Sequence, residues 1–126
     1  SRTTESTLPA NYIPEPKLRI DLYRRLALTQ SRDAIQVVEE ELADRFGALP
    51  PQVEALIAVT QLRVEAEQYG IRRVETDDNR LLCQRANAGK NSPYLKSGSR
   101  FPRLTRKDPL AKIREIKQIL RRIAKT

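Results

Sequence analysis

Apolar residues recur every three or four positions along residues 16–69, which is the spacing of helices that bury one face. A first helix is predicted from Pro16 to about Thr29. A second is predicted up to Phe46, with Ser31 placed to cap its first turn through a side-chain oxygen. The buried line of this second helix comprises Ile35, Val38, Leu42 and Phe46.

A four-residue link, residues 47–50, joins the second predicted helix to a third that runs from Pro51 to about Tyr69. Gly47 stands where a helix often ends in a left-handed residue, a conformation that costs glycine nothing. Proline cannot continue a helix but fits the first turn of the next one. The third helix carries apolar residues on two sides, so we expect it to be buried between two layers.

After Gly70, apolar residues no longer recur at the helical spacing of three or four positions. Residues 71–76 and 80–85 are rich in β-forming residues and are separated by two aspartates and an asparagine, which predicts an antiparallel hairpin. Residues 93–96 could add a third strand. Asp108 is placed to cap a last helix that has Pro109 in its first turn and ends near residue 124.

These elements predict an α+β fold: a helical layer with a central buried helix, a small antiparallel sheet and a C-terminal helix. Residues 1–15 contain several prolines after a polar start and are predicted to form an extended N-terminal strap. Residues 16–126 are predicted to form a single α+β domain, a size that suits one hydrophobic core.

Composition excludes several classes of function. The chain of 126 residues has no histidine and a single cysteine, Cys83, which argues against zinc sites, histidine-based catalysis and an internal disulfide. It has no Gly-rich phosphate loop, so we expect no catalytic residues, no metal and no cofactor in this part of the protein. No apolar run approaches the roughly 18 residues of a membrane helix, and we expect a cytoplasmic, monomeric fragment. Because methionine is absent, we expect a piece of a longer chain.

The net charge of +8 is unevenly distributed. Residues 1–70 hold 8 basic and 11 acidic side chains, whereas residues 71–126 hold 16 and 5. Such an asymmetry indicates a surface that meets something acidic, and a nucleic acid is one interpretation. A solvated basic face is the simpler one, since no nucleic-acid-binding signature accompanies the charge. The candidate contact residues are Arg100, Arg103, Arg106, Lys107, Arg114, Lys117 and Arg121.

The outer face of the second helix combines apolar and charged residues. At 100° per residue it presents Ala34, Val37, Glu41, Asp44 and Arg45. A docking surface has this mixed character. From spacing alone, an ordinary surface pair between residues 41 and 45, worth about 0.3–0.5 kcal/mol, is the simpler interpretation.

An ordered series of motifs changes that balance, because it resembles a known family. The series is LPANYIP at residues 8–14, LRIDLYRRLA at 18–27, ELADRFGALP at 41–50, LR at 62–63 and YGI at 69–71. It resembles the C-terminal domain of bacterial transcription-repair coupling factors, which are large ATP-driven DNA translocases. The resemblance is dense from residue 8 to about residue 74 and thinner beyond.

The resemblance implies a non-catalytic regulatory domain within a larger chain. In that family, ATP and Mg serve motor domains elsewhere in the protein, and the parent binds RNA polymerase, UvrA and double-stranded DNA. The C-terminal domain packs on an N-terminal module similar to UvrB, masks the surface that recruits UvrA and restrains the motor. Carried over by motif, Glu41, Asp44 and Arg45 would form that interdomain contact. The alternative is a nucleic-acid-binding module that uses the basic half.

Overall fold

The computed structural model describes residues 8–86, 94–96 and 100–124. Within this range it contains four helices and one two-stranded antiparallel sheet, which confirms the predicted α+β class. In chain order the elements are α1 (Pro16–Leu28), α2 (Arg32–Phe46), α3 (Pro51–Gln68), β1 (Ile71–Asp77), β2 (Arg80–Arg85) and α4 (Pro109–Ile123). No helix in the described range is long and apolar enough to span a bilayer.

Hydrogen bonds confirm the predicted capping residues at the starts of α2 and α4. The Ser31 hydroxyl accepts from the Ala34 N–H at 3.1 Å, and the Asp108 carboxylate accepts from the Ala111 N–H at 3.1 Å. Gly47 ends α2 with a φ of 92°, but its ψ of −170° lies outside the left-handed helical region that we expected. The chain therefore leaves α2 in a conformation that is essentially restricted to glycine.

The described residues divide into two compact units after Val64. The first, residues 8–64, is built from α1, α2 and most of α3. Its buried apolar residues form one cluster: Leu8, Ile13, Leu22, Leu26, Ile35, Val38, Leu42, Val53, Ile57 and Val64. Phe46 is only half-buried, where its ring packs against that of Tyr12 with centroids 5.7 Å apart.

The extended course predicted for residues 1–15 needs a correction over its described part, since residues 1–7 lie outside the described range. The N–H groups of Tyr12 and Ile13 both donate to the Pro9 carbonyl, at 3.1 and 3.0 Å, and close a turn. The Tyr12 hydroxyl then donates to the carbonyls of Leu42 and Gly47, at 3.2 and 2.8 Å. The segment thus adds hydrogen bonds to two carbonyls at the end of α2.

The C-terminal end of α1 is fixed by a residue from α3. The Arg63 guanidinium donates to the carbonyls of Leu26 and Thr29 at 2.8 and 2.9 Å. A cation at this position also complements the helix dipole. These bonds fasten the last turn of α1 to α3.

The second unit begins at Glu65 and contains the hairpin and α4. Asp78 and Asn79 form its two-residue turn with φ of 51° and 66°, as primed hairpin turns require. Residues 94–96 do not form the expected third strand, although the Leu95 N–H donates to the Cys83 carbonyl at 2.8 Å. Cys83 is fully buried, and burial raises the pKa of its thiol to about 12.

Candidate docking surface

A shallow groove runs between α1 and α2 on the outside of the first unit. Two of its residues are large, apolar and strongly exposed: the side chains of Leu28 and Val37 are 73% and 55% accessible. Both residues line this one groove, whereas exposed apolar residues scattered singly are ordinary on a protein surface. The residues lining the groove are Arg25, Leu28, Thr29, Ala34, Val37 and Val38.

A charged network borders one end of this groove. Arg25 Nη1 lies 3.2 and 3.0 Å from the two carboxylate oxygens of Glu41, and Arg45 Nη1 lies 3.8 Å from Glu41 Oε2. The Glu41 side chain is 34% exposed, so it lies between two arginines rather than projecting freely into solvent. The ordinary pair between residues 41 and 45 therefore exists, but it is the longer of the two contacts.

Asp44 and Arg45 occupy the exposed side of the last turn of α2. The Arg45 guanidinium lies 5.3 Å from the centroid of the Phe46 ring, within the range of a cation–π contact. All five predicted docking residues are thus on the outer side of α2. Ala34 and Val37 line the groove, whereas Glu41, Asp44 and Arg45 extend the surface toward the end of the helix.

Sequence reasoning missed the contribution of α1. Arg25 and Leu28 are three residues apart, one turn of helix, and both face α2. The sequence offered one signal of this contribution: Leu28 is apolar but does not lie on the helix face that Leu22 and Leu26 bury. An apolar residue outside the core stripe of a helix is a candidate for a contact with another surface.

The basic candidates lie in the second unit and differ in their surroundings. Lys117 is half-buried, and Arg121 is committed to an internal ion pair. Arg121 is nevertheless 45% accessible, and the five other exposed members of the set are Arg100, Arg103, Arg106, Lys107 and Arg114.

The internal ion pair joins the last turns of α3 to the last turns of α4. Arg121 Nε and Nη2 donate to the two carboxylate oxygens of Glu65 at 2.6 and 3.0 Å. The Tyr69 hydroxyl donates to the same carboxylate at 3.1 Å. Burial alone would raise the pKa of Glu65. The hydrogen bonds and charge of Arg121, with help from Tyr69 and the charge of Lys117, outweigh it and hold that pKa below its ordinary value.

A second carboxylate in this unit is also used internally. Glu115 on α4 accepts hydrogen bonds from the Thr105 N–H and the Arg106 N–H at 3.0 Å, and from the Thr105 hydroxyl at 2.6 Å. Burial would raise the pKa of Glu115, but these bonds outweigh it and lower the pKa. Glu115 therefore fastens the segment before α4 to the helix.

No group of three or more histidine, cysteine or acidic side chains within the described ranges is arranged to hold a metal ion. The groove between α1 and α2 has no buried nucleophile. Its geometry suits contact with another macromolecular surface, with an apolar centre and a charged border.

Comparison with known proteins identifies the family. Residues 3–95 match the family model described as the TRCF domain. The chain belongs to the TRCF domain family. The matched range contains the whole groove between α1 and α2, and it ends before all seven basic candidates.

Relatives and a solved structure agree with this assignment. The chain is 31% identical over 88 residues to the transcription-repair-coupling factor of Escherichia coli strain K12, covering 70% of this chain and 8% of that protein. It is 42% identical over 67 residues to the factor of Mycobacterium bovis, covering 53% and 5%.

The fold is also similar to a crystal structure of the C-terminal domain of transcription-repair coupling factor. The TM-score is 0.63 at 27% identity, over 67% of this chain and 52% of that one. This TRCF domain thus spans less than a tenth of the length of the curated relatives named above.

Proposed function

We propose that this TRCF domain is the non-catalytic regulatory docking domain of a larger, ATP-driven DNA translocase that couples transcription to excision repair in the cytoplasm. In this proposal the groove between α1 and α2, together with Glu41, Asp44 and Arg45, packs on a UvrB-like module of the same chain. Docking masks the surface that recruits UvrA and restrains the motor. Release accompanies engagement of stalled RNA polymerase on double-stranded DNA, and ATP and Mg are bound by the parent's motor domains.

The observation that carries the proposal is the pair of exposed apolar residues, Leu28 and Val37, next to a charged network. Burying such residues is favourable, at about 25 cal/mol for each Å² of apolar surface removed from water. The Arg25–Glu41–Arg45 network adds directional contacts that can discriminate between partner surfaces. An apolar centre with a charged rim is the usual anatomy of a reversible protein interface.

Reversible docking requires only a modest free-energy difference. A two-state equilibrium moves from 1:99 to 99:1 when one state gains about 5.5 kcal/mol relative to the other. Truncating a charged pair that docking has buried typically costs about 2–5 kcal/mol. Loss of a few side chains is therefore enough to open a docked state.

The test is a triple variant of the full-length parent, Glu41→Ala, Asp44→Ala and Arg45→Ala. We expect it to bind UvrA more readily and to hydrolyse ATP faster in the absence of RNA polymerase. The isolated chain should remain folded, because exposed charges contribute little to stability.

A matched control removes the same net charge from exposed positions outside the proposed docking surface: Asp21→Ala, Arg24→Ala and Glu40→Ala. This control should behave like the wild type in both assays. If the variant at Glu41, Asp44 and Arg45 also behaves like the wild type, the docking face lies elsewhere on the domain.

The alternative function, nucleic-acid binding by the second unit, is favoured by its exposed basic candidates. Phosphate contacts release counterions, so such binding weakens steeply as salt rises. A docking domain without this activity should bind DNA weakly at every salt concentration. Measuring DNA affinity of the 126-residue chain between low and physiological salt separates the two functions.

A further inference from the structure

The two edges of the β1–β2 hairpin differ in their hydrogen bonding. On the β2 side, the Leu81 N–H donates to the Pro102 carbonyl and the Cys83 carbonyl accepts from the Leu95 N–H, both at 2.8 Å. On the β1 side, the described residues add no strand and no backbone hydrogen bond. The hairpin thus has one covered edge and one open edge within the part of the chain that the structure describes.

The register shows which backbone groups of β1 face the open edge. Thr76 pairs with Leu81 and Val74 pairs with Cys83. The backbone groups of Leu81 and Cys83 point away from β1, as their bonds on the far side demonstrate. In an antiparallel ladder, directly opposed residues are either both bonded to each other or both directed outward. The N–H and C=O groups of Val74 and Thr76 therefore face outward.

The side chains along this edge determine what can pair with it. Arg72 and Arg73 are exposed, whereas Val74 and Thr76 are half-buried. Residues 72–75 line a shallow groove. Glu75 and Asp77 are the acids on this strand, and each is paired, with Arg73 at 3.8 Å and with Arg80 at 2.6 Å. Residues 71–126 hold 16 basic and 5 acidic side chains, so the surroundings of the edge carry a net positive charge.

We propose that the outer edge of β1 is a second interaction surface, distinct from the α1–α2 groove, which binds an extended acidic segment of a partner protein by adding it as a third strand. Main-chain bonds to Val74 and Thr76 supply the pairing, as in other cases of strand addition. Arg72 and Arg73 supply the preference for acidic side chains. The irregularity between Ile71 and Arg73 limits regular pairing to the second half of the strand.

The experiment is an NMR titration of the 126-residue chain with a peptide that alternates glutamate and valine. Strand addition should shift the amide signals of Val74 and Thr76 most. A control peptide has the same side chains but is N-methylated at every residue, so it keeps the charge and cannot donate those backbone bonds. We expect it to bind about tenfold more weakly.

Two variants sharpen the result. The double variant Arg72→Glu, Arg73→Glu should bind the first peptide with about tenfold lower affinity, or lower still. The control variant Lys107→Glu, Arg122→Glu makes an equal charge change elsewhere in the unit and should lower the affinity much less. Retained dispersion of the amide signals shows that each variant is folded.

Three outcomes would overturn the proposal. The first is equal affinity for both peptides, with shifts spread over α4, because that indicates charge attraction alone. The second is the absence of any binding, which indicates that the arginines only protect the edge from aggregation. The third is a shift of the β1 amides with protein concentration alone, because a second copy of the chain is then the occupant.

Discussion

The two units use their acidic residues differently. In the second unit, Glu65 and Glu115 are fastened to an arginine and to backbone N–H groups, Asp77 pairs with Arg80, and Asp108 caps α4. In the first unit, several acids lie on the exposed or half-exposed side of α2: Asp33, Glu39, Glu40, Glu41 and Asp44. Acids in the first unit therefore shape a surface, whereas most acids in the second hold the fold together.

The charge count differs between the units as well. An ion pair such as Glu65–Arg121 uses one acid and one base, so the second unit keeps its excess of basic side chains, 16 against 5 acids in residues 71–126. The first unit is nearly balanced in charge, and its distinctive feature is the apolar groove between α1 and α2. Substitutions can separate these two uses of acidic residues: a change in a bonded acid or its partner should alter stability, and a change on the docking surface should alter docking.

The largest expected effect on stability concerns the core of the first unit. Leu42 is 1% exposed, so Leu42→Ala should lower the free energy of unfolding by about 2–5 kcal/mol through lost burial and the remaining cavity. Phe46→Ala should cost less, because that ring is only half-buried and can be partly replaced by water. Urea denaturation of both variants measures the order, and a larger loss at Phe46 would contradict it.

The next effect tests the ion pair of the second unit. Arg121→Ala leaves the Glu65 carboxylate, whose side chain is 7% exposed, without its main partner, and should cost about 1–3 kcal/mol at neutral pH. Arg122→Ala, an exposed neighbour on α4, is the control and should stay within about 0.5 kcal/mol of the wild type.

The same variant gives a pH dependence of definite sign. The pKa of Glu65 in the folded chain lies below its ordinary value of 4.5, so its stabilising contribution is complete above that value. That contribution is lost as the pH falls through the folded pKa. The difference in stability between wild type and Arg121→Ala should therefore shrink in acid. Glu115 titrates in both proteins and cancels from the difference. A difference that is constant with pH would show that Glu65 is not the group involved.

Gly47 provides the third test. A Cβ at this position would meet no atom within 4 Å, so the cost of a larger residue comes from the backbone at φ 92° and not from crowding. Gly47→Val should destabilise the chain by about 1 kcal/mol or more, because a β-branched residue resists positive φ. Gly47→Ala should cost less than valine. Thermal unfolding of both measures the strain, and a neutral valine would show that α2 can end differently.

The sequence predicts the parts of this molecule that depend on near neighbours. The ends of α2 and α4 follow from Ser31, Gly47 and Asp108, since capping acts within one turn of helix. Contacts between distant positions could not be predicted. Glu41 meets Arg25 across 16 positions and Glu65 meets Arg121 across 56, and such contacts depend on how the elements pack.

Two further errors have the same origin. The turn at residues 9–13 was missed because prolines favour extended neighbours, while the hydrogen bonds of Tyr12 to the end of α2 are tertiary. The outward positions of Val37, Asp44 and Arg45 on α2 follow from the helical period alone. The half of the groove that comes from α1 required the structure, since no local pattern relates Leu28 to Val37.

The smallest expected effect on stability is at Leu28, and it separates folding from docking most clearly. Leu28 is 73% exposed, so Leu28→Ser should change the free energy of unfolding of the isolated chain by less than about 0.5 kcal/mol. Ile20→Ser is the matched control, because Ile20 lies on the same helix, is 56% exposed and does not line the groove. In the full-length parent, we expect only Leu28→Ser to increase UvrA binding and ATP hydrolysis without RNA polymerase, since docking would bury Leu28 and leave Ile20 in water. Equal behaviour of the two variants would mean that exposed apolar area on α1 does not contribute to docking, and that the charged residues of α2 act alone.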